Sequence, residues 1–289
     1  MRPAATKTRS LRRCFWGRYG LRPMAEHYVP PMETLHVERD DGIVTVTLDK
    51  PGKKNAIDPG QWAELSAIWD EIARHPRRDR AVVLTGAGGD FCSGVDLWLP
   101  PGEDPPHQIT AMRNVADAIQ GLHDLPQPTI AKVRGVAAGV GCSLALGCDL
   151  LVAGETARFS MIFAKRGLAL DGGASWLLPR ILPMHKAKEL AFFAEILSAR
   201  DAEHFGLINH VVPDAELDAF VADWAARLAA GPPIALGLTK RLLNDSHSRT
   251  LQEALEAEAM SQSITLQSKD TAEAISSFVE KRDPTFHGR

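Results

Sequence analysis

Two glycine-rich segments, each directly after a short run that predicts a strand, constrain this 289-residue chain more than any other feature of its sequence. AVVLT at 81–85 opens into GAGGDFCSG at 86–94, and TIAKV at 129–133 precedes GVAAGVGCS at 135–143. Short apolar runs bounded by turn residues are typical of buried strands. Glycine leaves the backbone accessible, and a helix that begins within the second segment directs free N–H groups outward. The pattern therefore predicts two loops whose backbone contacts a ligand.

The remainder of the first half predicts alternating strands and helices. Residues 35–39 and 43–48 alternate with period two around Asp41-Gly42, which indicates a hairpin. Asp58-Pro59 offers an N-cap and a proline at the first helical position. A helix over 108–124 is expected as well. Alternation of this kind favours parallel strands joined by helical crossovers.

After about residue 177 the pattern becomes helical almost throughout. Helices are predicted at 214–230, 233–245 and 250–281, with a short strand near 207–212. We accordingly divide the chain into a basic extension at 1–31, an α/β core at 32–225 and a helical C-terminal region at 226–289.

Charge and composition exclude several classes of protein. The formal net charge is −3, but residues 1–25 hold seven basic and no acidic side chains, which leaves 26 basic and 36 acidic groups in the rest. An acidic body is unsuited to nucleic acid, whose binding needs a basic face. The longest charge-free apolar stretch, 135–148, is 14 residues, and a membrane span needs ~20. Four cysteines without a CxxC pair suggest no metal site and no disulfide framework.

The arginine-rich start of the chain has two interpretations. Residues 1–25 lack the apolar core of a secretory signal but are compatible with a mitochondrial transit peptide. Alternatively, the start codon is assigned too far upstream, and translation begins at Met24 or Met32. The expected location is the cytoplasm, or the mitochondrial matrix if the segment is a transit peptide.

Three ligand chemistries can be compared for the glycine segments. Residues 139–144 (GVGCSL) lack the last glycine of the dinucleotide-binding pattern GxGxxG. Residues 141–145 (GCSLA) lack the last glycine of the hydrolase pattern GxSxG. Two N–H donors from separate loops instead suit an oxyanion hole, in which losing a donor costs ~3–4 kcal/mol of transition-state stabilisation. Tight turns without a ligand remain the alternative.

The motifs resemble one known family. FCSGVDL at 91–97 is similar to the F-C-A-G-x-D-[LI] motif of the crotonase (enoyl-CoA hydratase/isomerase) superfamily, and GVAAGVGCSLALGCD at 135–149 is similar to its second glycine motif. The likeness runs from about residue 33 to the end, including SFVEKR at 277–282. It implies an α/β fold, the crotonase (ClpP-like) spiral of ββα units with a helical C-terminal region. It also implies an acyl-CoA substrate, no metal or further cofactor, and a homotrimer or hexamer.

The resemblance also implies roles for individual residues. In the family, two backbone N–H groups hold the thioester oxygen while an enolate forms; by position these belong to Ser93 and to Val140, where glycine is usual. Lys54 and Lys281 (or its neighbour Arg282) would meet the phosphates of coenzyme A, with solvated surface charge as the alternative. The other implied substrate contacts are Ala56, Gly94, Val95, Asp96, Gly139 and Phe163.

The catalytic groups depart from those of a hydratase. Hydratases of the family use two glutamates, whose positions hold Ser143 and Phe163 here. Residues 159–180 (FSMIFAKRGLALDGGASWLLPR) instead resemble isomerases of phenylacetate degradation, which act on a ring-epoxide form of phenylacetyl-CoA and on related enoyl-CoAs. In those isomerases an aspartate at the place of Asp171 moves a proton. A cap for the helix opening near Ala174 is the alternative role for Asp171.

The surroundings of Asp171 favour proton transfer, because a carboxylate among Phe163, Leu168, Leu170 and Trp176 would lose hydration. We therefore expect an acyl-CoA isomerase, with residues 97–108 bordering the acyl pocket. The alternatives are an enoyl-CoA hydratase of fatty-acid β-oxidation and a non-catalytic acyl-CoA-binding member of the family.

Overall fold

The computed structural model describes residues 34–96 and 107–289, which lie in one unit spanning 32–289. The predicted extension at 1–31 and most of the predicted pocket loop at 97–108 fall outside the described residues. The strands are β1 (Leu35–Asp40), β2 (Ile43–Leu48), β3 (Ala81–Gly86), β4 (Thr129–Val133), β5 (Val136–Ala138), β6 (Leu150–Gly154), β7 (Arg158–Ser160), β8 (Leu197–Ser198) and β9 (His210–Val212).

The α-helices in this part of the chain are α1 (Pro59–Ala73), α2 (Gln108–His123), α3 (Val140–Leu146), α4 (Ala174–Ile181), α5 (Met184–Phe193), α6 (Ala199–His204), α7 (Leu217–Ala230), α8 (Pro233–Asp245), α9 (Leu251–Leu266) and α10 (Lys269–Glu280). None of the helices among the described residues is long and apolar enough to cross a membrane.

A six-stranded sheet in the order β1-β2-β3-β4-β6-β9 forms the centre of the fold. The hairpin of β1 and β2 is antiparallel, with Leu35 opposite Leu48, and every later pair in this sheet is parallel. The predicted hairpin and parallel core are therefore confirmed. Because the chain runs in the same direction in β3 and β4, the glycine segments that follow them begin at the same edge of the sheet.

A second sheet, in the order β5-β7-β8, was not predicted. Strand β5 runs parallel to β7, and β7 is antiparallel to β8. These strands are two or three residues long, which is too short for an alternating pattern to show in the sequence. Strand β5 lies inside the second glycine segment and attaches it to this smaller sheet.

The alternation of side chains along β3 explains how the main sheet is covered. Val82 and Leu84 join the large apolar cluster that includes side chains of α1 and α2. Val83 points to the other face and packs with Leu217 and Val221 of α7. Helices therefore cover both faces of the sheet, as a buried parallel sheet requires.

Side-chain caps mark where helices begin. The Asp58 carboxylate accepts the N–H of Gln61 at 3.1 Å, while the Gln61 side chain accepts the N–H of Asp58 at 2.8 Å.

The helical stretch predicted over 250–281 is in fact two helices, which corrects the prediction. Thr250 caps α9, and the Ser268 hydroxyl accepts the N–H of Thr271 at 3.1 Å to start α10. A serine cap inside a periodic pattern is easily overlooked.

Candidate active site

An extended segment at 92–96 brings the two glycine segments together. The N–H of Cys92 donates to the Val136 carbonyl at 2.9 Å, and Cys92 accepts from the N–H of Ala138 at the same distance. Two residues further on, Gly94 accepts from the N–H of Ile57 at 2.8 Å. The first glycine segment is thus joined to β5 on one side and to the turn before α1 on the other.

Ser93 does not offer the free N–H that was predicted for it. Its N–H donates to the Lys54 carbonyl at 2.9 Å, and its hydroxyl donates to the Lys53 carbonyl at 2.9 Å. Both of its donors are used within the protein. The predicted role of Ser93 as an oxyanion donor is therefore corrected, because its hydrogen bonds instead fix the turn at 53–54. The backbone turns at Gly94, whose φ of 109° strongly favours glycine.

Val95 presents the available N–H of this segment. It forms a parallel bridge with Ile57, in which the hydrogen bonds are made by Gly94 and Asp96 on either side. The N–H of Val95 therefore faces away from Ile57, and it donates to no group within the described residues. Nothing in the sequence distinguishes positions 93 and 95 as donors, because the choice depends on the backbone of Gly94.

The Val140 N–H lies beside this segment. Val140 is the first residue of α3, where an N–H has no partner inside its own helix, and it donates to no other described group. Gly139 before it has φ 56° and ψ −130° and donates its N–H to the Ser160 carbonyl at 2.9 Å. A methyl group on Gly94 would lie 4.0 Å from the Val140 nitrogen. The Val140 N–H therefore lies beside the segment that carries the available N–H of Val95.

Replacing Gly141 by alanine is expected to lower the free energy of unfolding by about 1–3 kcal/mol, the usual cost of overpacking a tight interior. A methyl group there would lie 2.5 Å from the Cys92 carbonyl oxygen and 2.7 Å from its sulfur. Gly89→Ala is the matched control, because nothing lies within 4 Å of a methyl group at Gly89. Denaturant titration of the two variants measures the difference, and equal stabilities would show that α3 is not packed this closely.

The cysteines beside the glycine segments, Cys92 and Cys142, are poorly suited to act as nucleophiles. Burial raises the pKa of Cys92 and of Cys142 to about 12, and it outweighs the opposing effect of their hydrogen bonds with the backbone of Gly94 and of Ser160. A thiol with such a pKa is protonated at neutral pH and is a poor nucleophile.

Asp171 lies in a turn that packs against the start of α3. Gly172 and Gly173, which follow it, have φ of 61° and 77°. A methyl group on Gly172 would lie 2.7 Å from a Val140 methyl carbon and 2.9 Å from the Ser143 β-carbon. The turn that carries Asp171 therefore packs on Val140, 31 positions earlier in the chain.

The carboxylate of Asp171 does not cap α4, so the alternative role predicted for it is wrong. Its Oδ1 accepts the N–H of Gly172 at 2.6 Å, whereas the N-cap of α4 is Gly173 and no side chain caps that helix. Only the main-chain carbonyl of Asp171 accepts an N–H of α4, from Ala174 at 3.3 Å.

The apolar enclosure predicted around Asp171 is only partly present. Phe163 is buried and Leu170 is half-buried. Leu168 and Trp176 are instead 57% and 40% exposed, which corrects their predicted place. The Trp176 ring stacks under the Arg180 guanidinium at 3.7 Å, so it faces a charged side chain.

The turn at 50–56 holds Lys54 and Ala56 beside the first glycine segment. Lys54 is 61% exposed, 3.7 Å from Asp90, and Ala56 is buried. Asn55 between them is buried too, and its side chain donates to the Asp90 carbonyl at 2.7 Å and accepts the Lys50 N–H at 3.0 Å. The sequence did not predict a role for Asn55, because a side-chain amide that links two loops by hydrogen bonds leaves no periodic pattern in the sequence.

Asp96 serves the same turn. Its nearly buried carboxylate lies 3.1 Å from the Lys50 ammonium and 3.6 Å from that of Lys53. Burial opposes the charge of Lys50, but hydrogen bonds to Asp58 and Asp96 outweigh it and raise the pKa of this lysine. Asp96 therefore anchors lysines of the turn.

Lys281 is not brought to the other predicted site residues by any contact among the described residues. The tail that follows it is held by Arg80, which donates to the Phe286 carbonyl at 3.1 Å. Arg80 directly precedes β3, whereas the first glycine segment follows β3, at the opposite end of the strand. The tail is also fixed by Asp270, whose carboxylate accepts the N–H groups of His287 and Gly288 at 2.7 and 2.8 Å.

Parallel strands carry two glycine loops at one edge of the sheet, and a turn with a carboxylate packs against the second loop. This arrangement and the solved structures that superpose on it show a crotonase-fold protein. The chain belongs to the enoyl-CoA hydratase/isomerase family, whose model matches residues 38–289. Among the described residues, no group of three or more His, Cys, Asp or Glu side chains is placed to hold a metal ion.

Relatives in this family carry different activities. The chain is 37% identical to 1,2-epoxyphenylacetyl-CoA isomerase of Escherichia coli over 258 residues, which cover 88% of this chain and 97% of the relative. It is 31% identical to an enoyl-CoA hydratase of Mycobacterium tuberculosis, over 88% of this chain and 96% of the relative. The crystal structure of an enoyl-CoA hydratase from Polaromonas superposes with a TM-score of 0.82 at 33% identity, covering 88% of this chain and 99% of that one.

Proposed function

We propose that this chain is an acyl-CoA isomerase, which shifts a double bond by moving a proton on an enolate held by backbone N–H groups. The observation that carries the proposal is the Asp171 carboxylate, free of any helix-capping role, in a turn packed on Val140. The two positions at which hydratases of the family hold glutamate are Ser143 and Phe163, neither of which can activate water as a general base at neutral pH.

In the proposed mechanism the N–H groups of Val95 and Val140 hold the thioester oxygen. Donors aimed at this oxygen stabilise the negative charge that develops when a neighbouring C–H bond breaks. The Asp171 carboxylate takes the proton from the α carbon of a 3-enoyl thioester and leaves a dienolate. The carboxylic acid then returns the proton to the γ carbon, which moves the double bond to position 2. Asp171 ends the cycle ionised, and no electrons are exchanged with a cofactor.

The substrate-binding roles follow the same proposal. The exposed Lys54 is suited to a phosphate of coenzyme A, while Ala56, Gly94 and Gly139 form the backbone around the thioester. The buried Phe163 is proposed to line the acyl side. The printed name of the E. coli relative supports an isomerase, and the hydratases at 31–33% identity make the hydratase the competing outcome.

We further propose that the chain acts as a homotrimer or hexamer. Helices α8 and α9 have no buried residue, and Leu251, Phe278 and Val279 of the helical region are 76%, 85% and 74% exposed. Apolar area of this kind marks a protein–protein contact. If this apolar surface is buried against a second copy of the chain, Lys281 can contact the substrate-binding site of that copy. Light scattering, which measures the mass in solution, tests the assembly.

Parallel rate measurements on trans-3-enoyl-CoA and trans-2-enoyl-CoA test the function. The proposal expects the first to be converted to the 2-enoyl isomer and the second to remain without a hydroxyl product. A 3-hydroxyacyl-CoA from the second substrate would make the chain a hydratase. Tight binding of both thioesters without turnover would make it a binding protein.

A further inference from the structure

We propose that Ser143 is a positioning residue that orients the Asp171 carboxylate through the peptide group between Asp171 and Gly172; the inference rests on the proposed function of Asp171. Ser143 lies in the first turn of α3 and is fully buried. Its hydroxyl donates to the Asp171 carbonyl at 2.9 Å and lies 3.3 Å from the Gly139 carbonyl. A hydroxyl has one proton, and the shorter contact goes to Asp171.

The carbonyl held by Ser143 and the N–H of Gly172 belong to one planar peptide group. That N–H donates to Oδ1 of Asp171 at 2.6 Å. Fixing the carbonyl therefore fixes the direction of the N–H, and the N–H in turn holds the carboxylate. The other contact of the Asp171 carbonyl, the N–H of Ala174 at 3.3 Å, is longer and lies on the far side of the glycine turn.

Ser143 also connects the carboxylate to the oxyanion donor. It is three residues after Val140, and its own N–H donates to the Gly139 carbonyl at 3.1 Å. One side chain thus links the helix that provides the Val140 N–H with the turn that provides Asp171. Gly172 leaves no room for a methyl group against Val140 and Ser143, so the turn packs closely on α3. In this chain the position at which hydratases hold a glutamate is Ser143, and we propose that it positions a different acid–base group, Asp171.

The test compares Ser143→Ala with Ser277→Ala, a matched control in α10. Ser277 is equally buried, and its hydroxyl also donates to a carbonyl, that of Ala274 at 3.0 Å. Ser143→Ala is expected to lower kcat on trans-3-enoyl-CoA roughly 10- to 100-fold, as displacement of a catalytic group does. KM should change less than about twofold, because the donors that bind the thioester remain. Ser277→Ala should keep both parameters.

A double-mutant cycle separates positioning from stability. In an Asp171→Ala background, Ser143→Ala should add less than about twofold, because no carboxylate remains to be oriented. An equal loss in both backgrounds, or a wild-type kcat for Ser143→Ala, would overturn the positioning role. If Asp171→Ala itself retains full turnover, the proposed function fails first, and the two failures are thereby distinguished.

A crystal structure of Ser143→Ala gives a readout that needs no turnover. The proposal expects the Asp171–Gly172 peptide to rotate and the carboxylate to leave the Gly172 N–H. A carboxylate in its original place, still 2.6 Å from that nitrogen, would overturn the inference whatever the kinetics show.

Discussion

We expect the replacement of Asp171 by asparagine to lower kcat for the proposed isomerisation at least about a hundredfold, the typical contribution of a general base. Asparagine keeps an oxygen at the Oδ1 position, so the contact with the Gly172 N–H can persist while the proton acceptor is lost. Because the carboxylate caps no helix, the melting temperature should change little. Steady-state kinetics and thermal unfolding of the same preparation measure both effects.

The matched control is Asp223→Asn on α7, an exposed carboxylate that pairs with Arg227 at 3.4 Å. It should keep full turnover. An Asp171→Asn enzyme with wild-type activity would contradict the assignment of the proton carrier, and a large loss of stability with activity retained would return Asp171 to a structural role.

Replacing Val140 by proline removes the second proposed donor and is expected to reduce kcat by roughly 100- to 1000-fold, as the loss of one oxyanion donor does. Proline is well tolerated at the first position of a helix, where the N–H has no helical partner. Gly139 before it lies outside the helical region that a following proline disfavours. The variant should therefore fold, which circular dichroism checks before the kinetics are measured.

Val140→Ala is the control for this donor, because it removes the branched side chain but keeps the N–H. It should retain most of the turnover, and the difference between the two variants isolates the hydrogen bond. Equal activity of a folded Val140→Pro enzyme and Val140→Ala would show that the thioester oxygen is held elsewhere.

The sequence predicted those parts of the fold that have strong local signals. The hairpin around Asp41-Gly42, the capped start of α1 and the strand at 129–133 rest on turn chemistry, capping and apolar runs, and the structure has all three. The strands β7 and β8 were not predicted, because an alternating pattern cannot be recognised in two or three residues. They acquire their conformation from partners distant in the chain.

The sequence motifs named candidate site residues but could not resolve which backbone N–H groups are free. The roles expected for Asp171 and Val140 rest on the family motif, whereas the choice between the N–H groups of Ser93 and Val95 depends on the Gly94 backbone and on Lys54 as a competing acceptor. The exposure of Leu168 and Trp176 was not foreseen, because an apolar side chain near a site motif carries no information about the direction it faces.

In the proposed reaction, one carboxylate transfers a proton on a held enolate without adding water. The most direct test is to incubate the wild-type protein with trans-3-enoyl-CoA in heavy water and to follow the thioesters by mass spectrometry. We expect the 2-enoyl isomer, with deuterium gained only to the extent that Asp171 exchanges its proton before returning it, and no product that has gained a water molecule. Accumulation of a 3-hydroxyacyl-CoA carrying the elements of heavy water would contradict it.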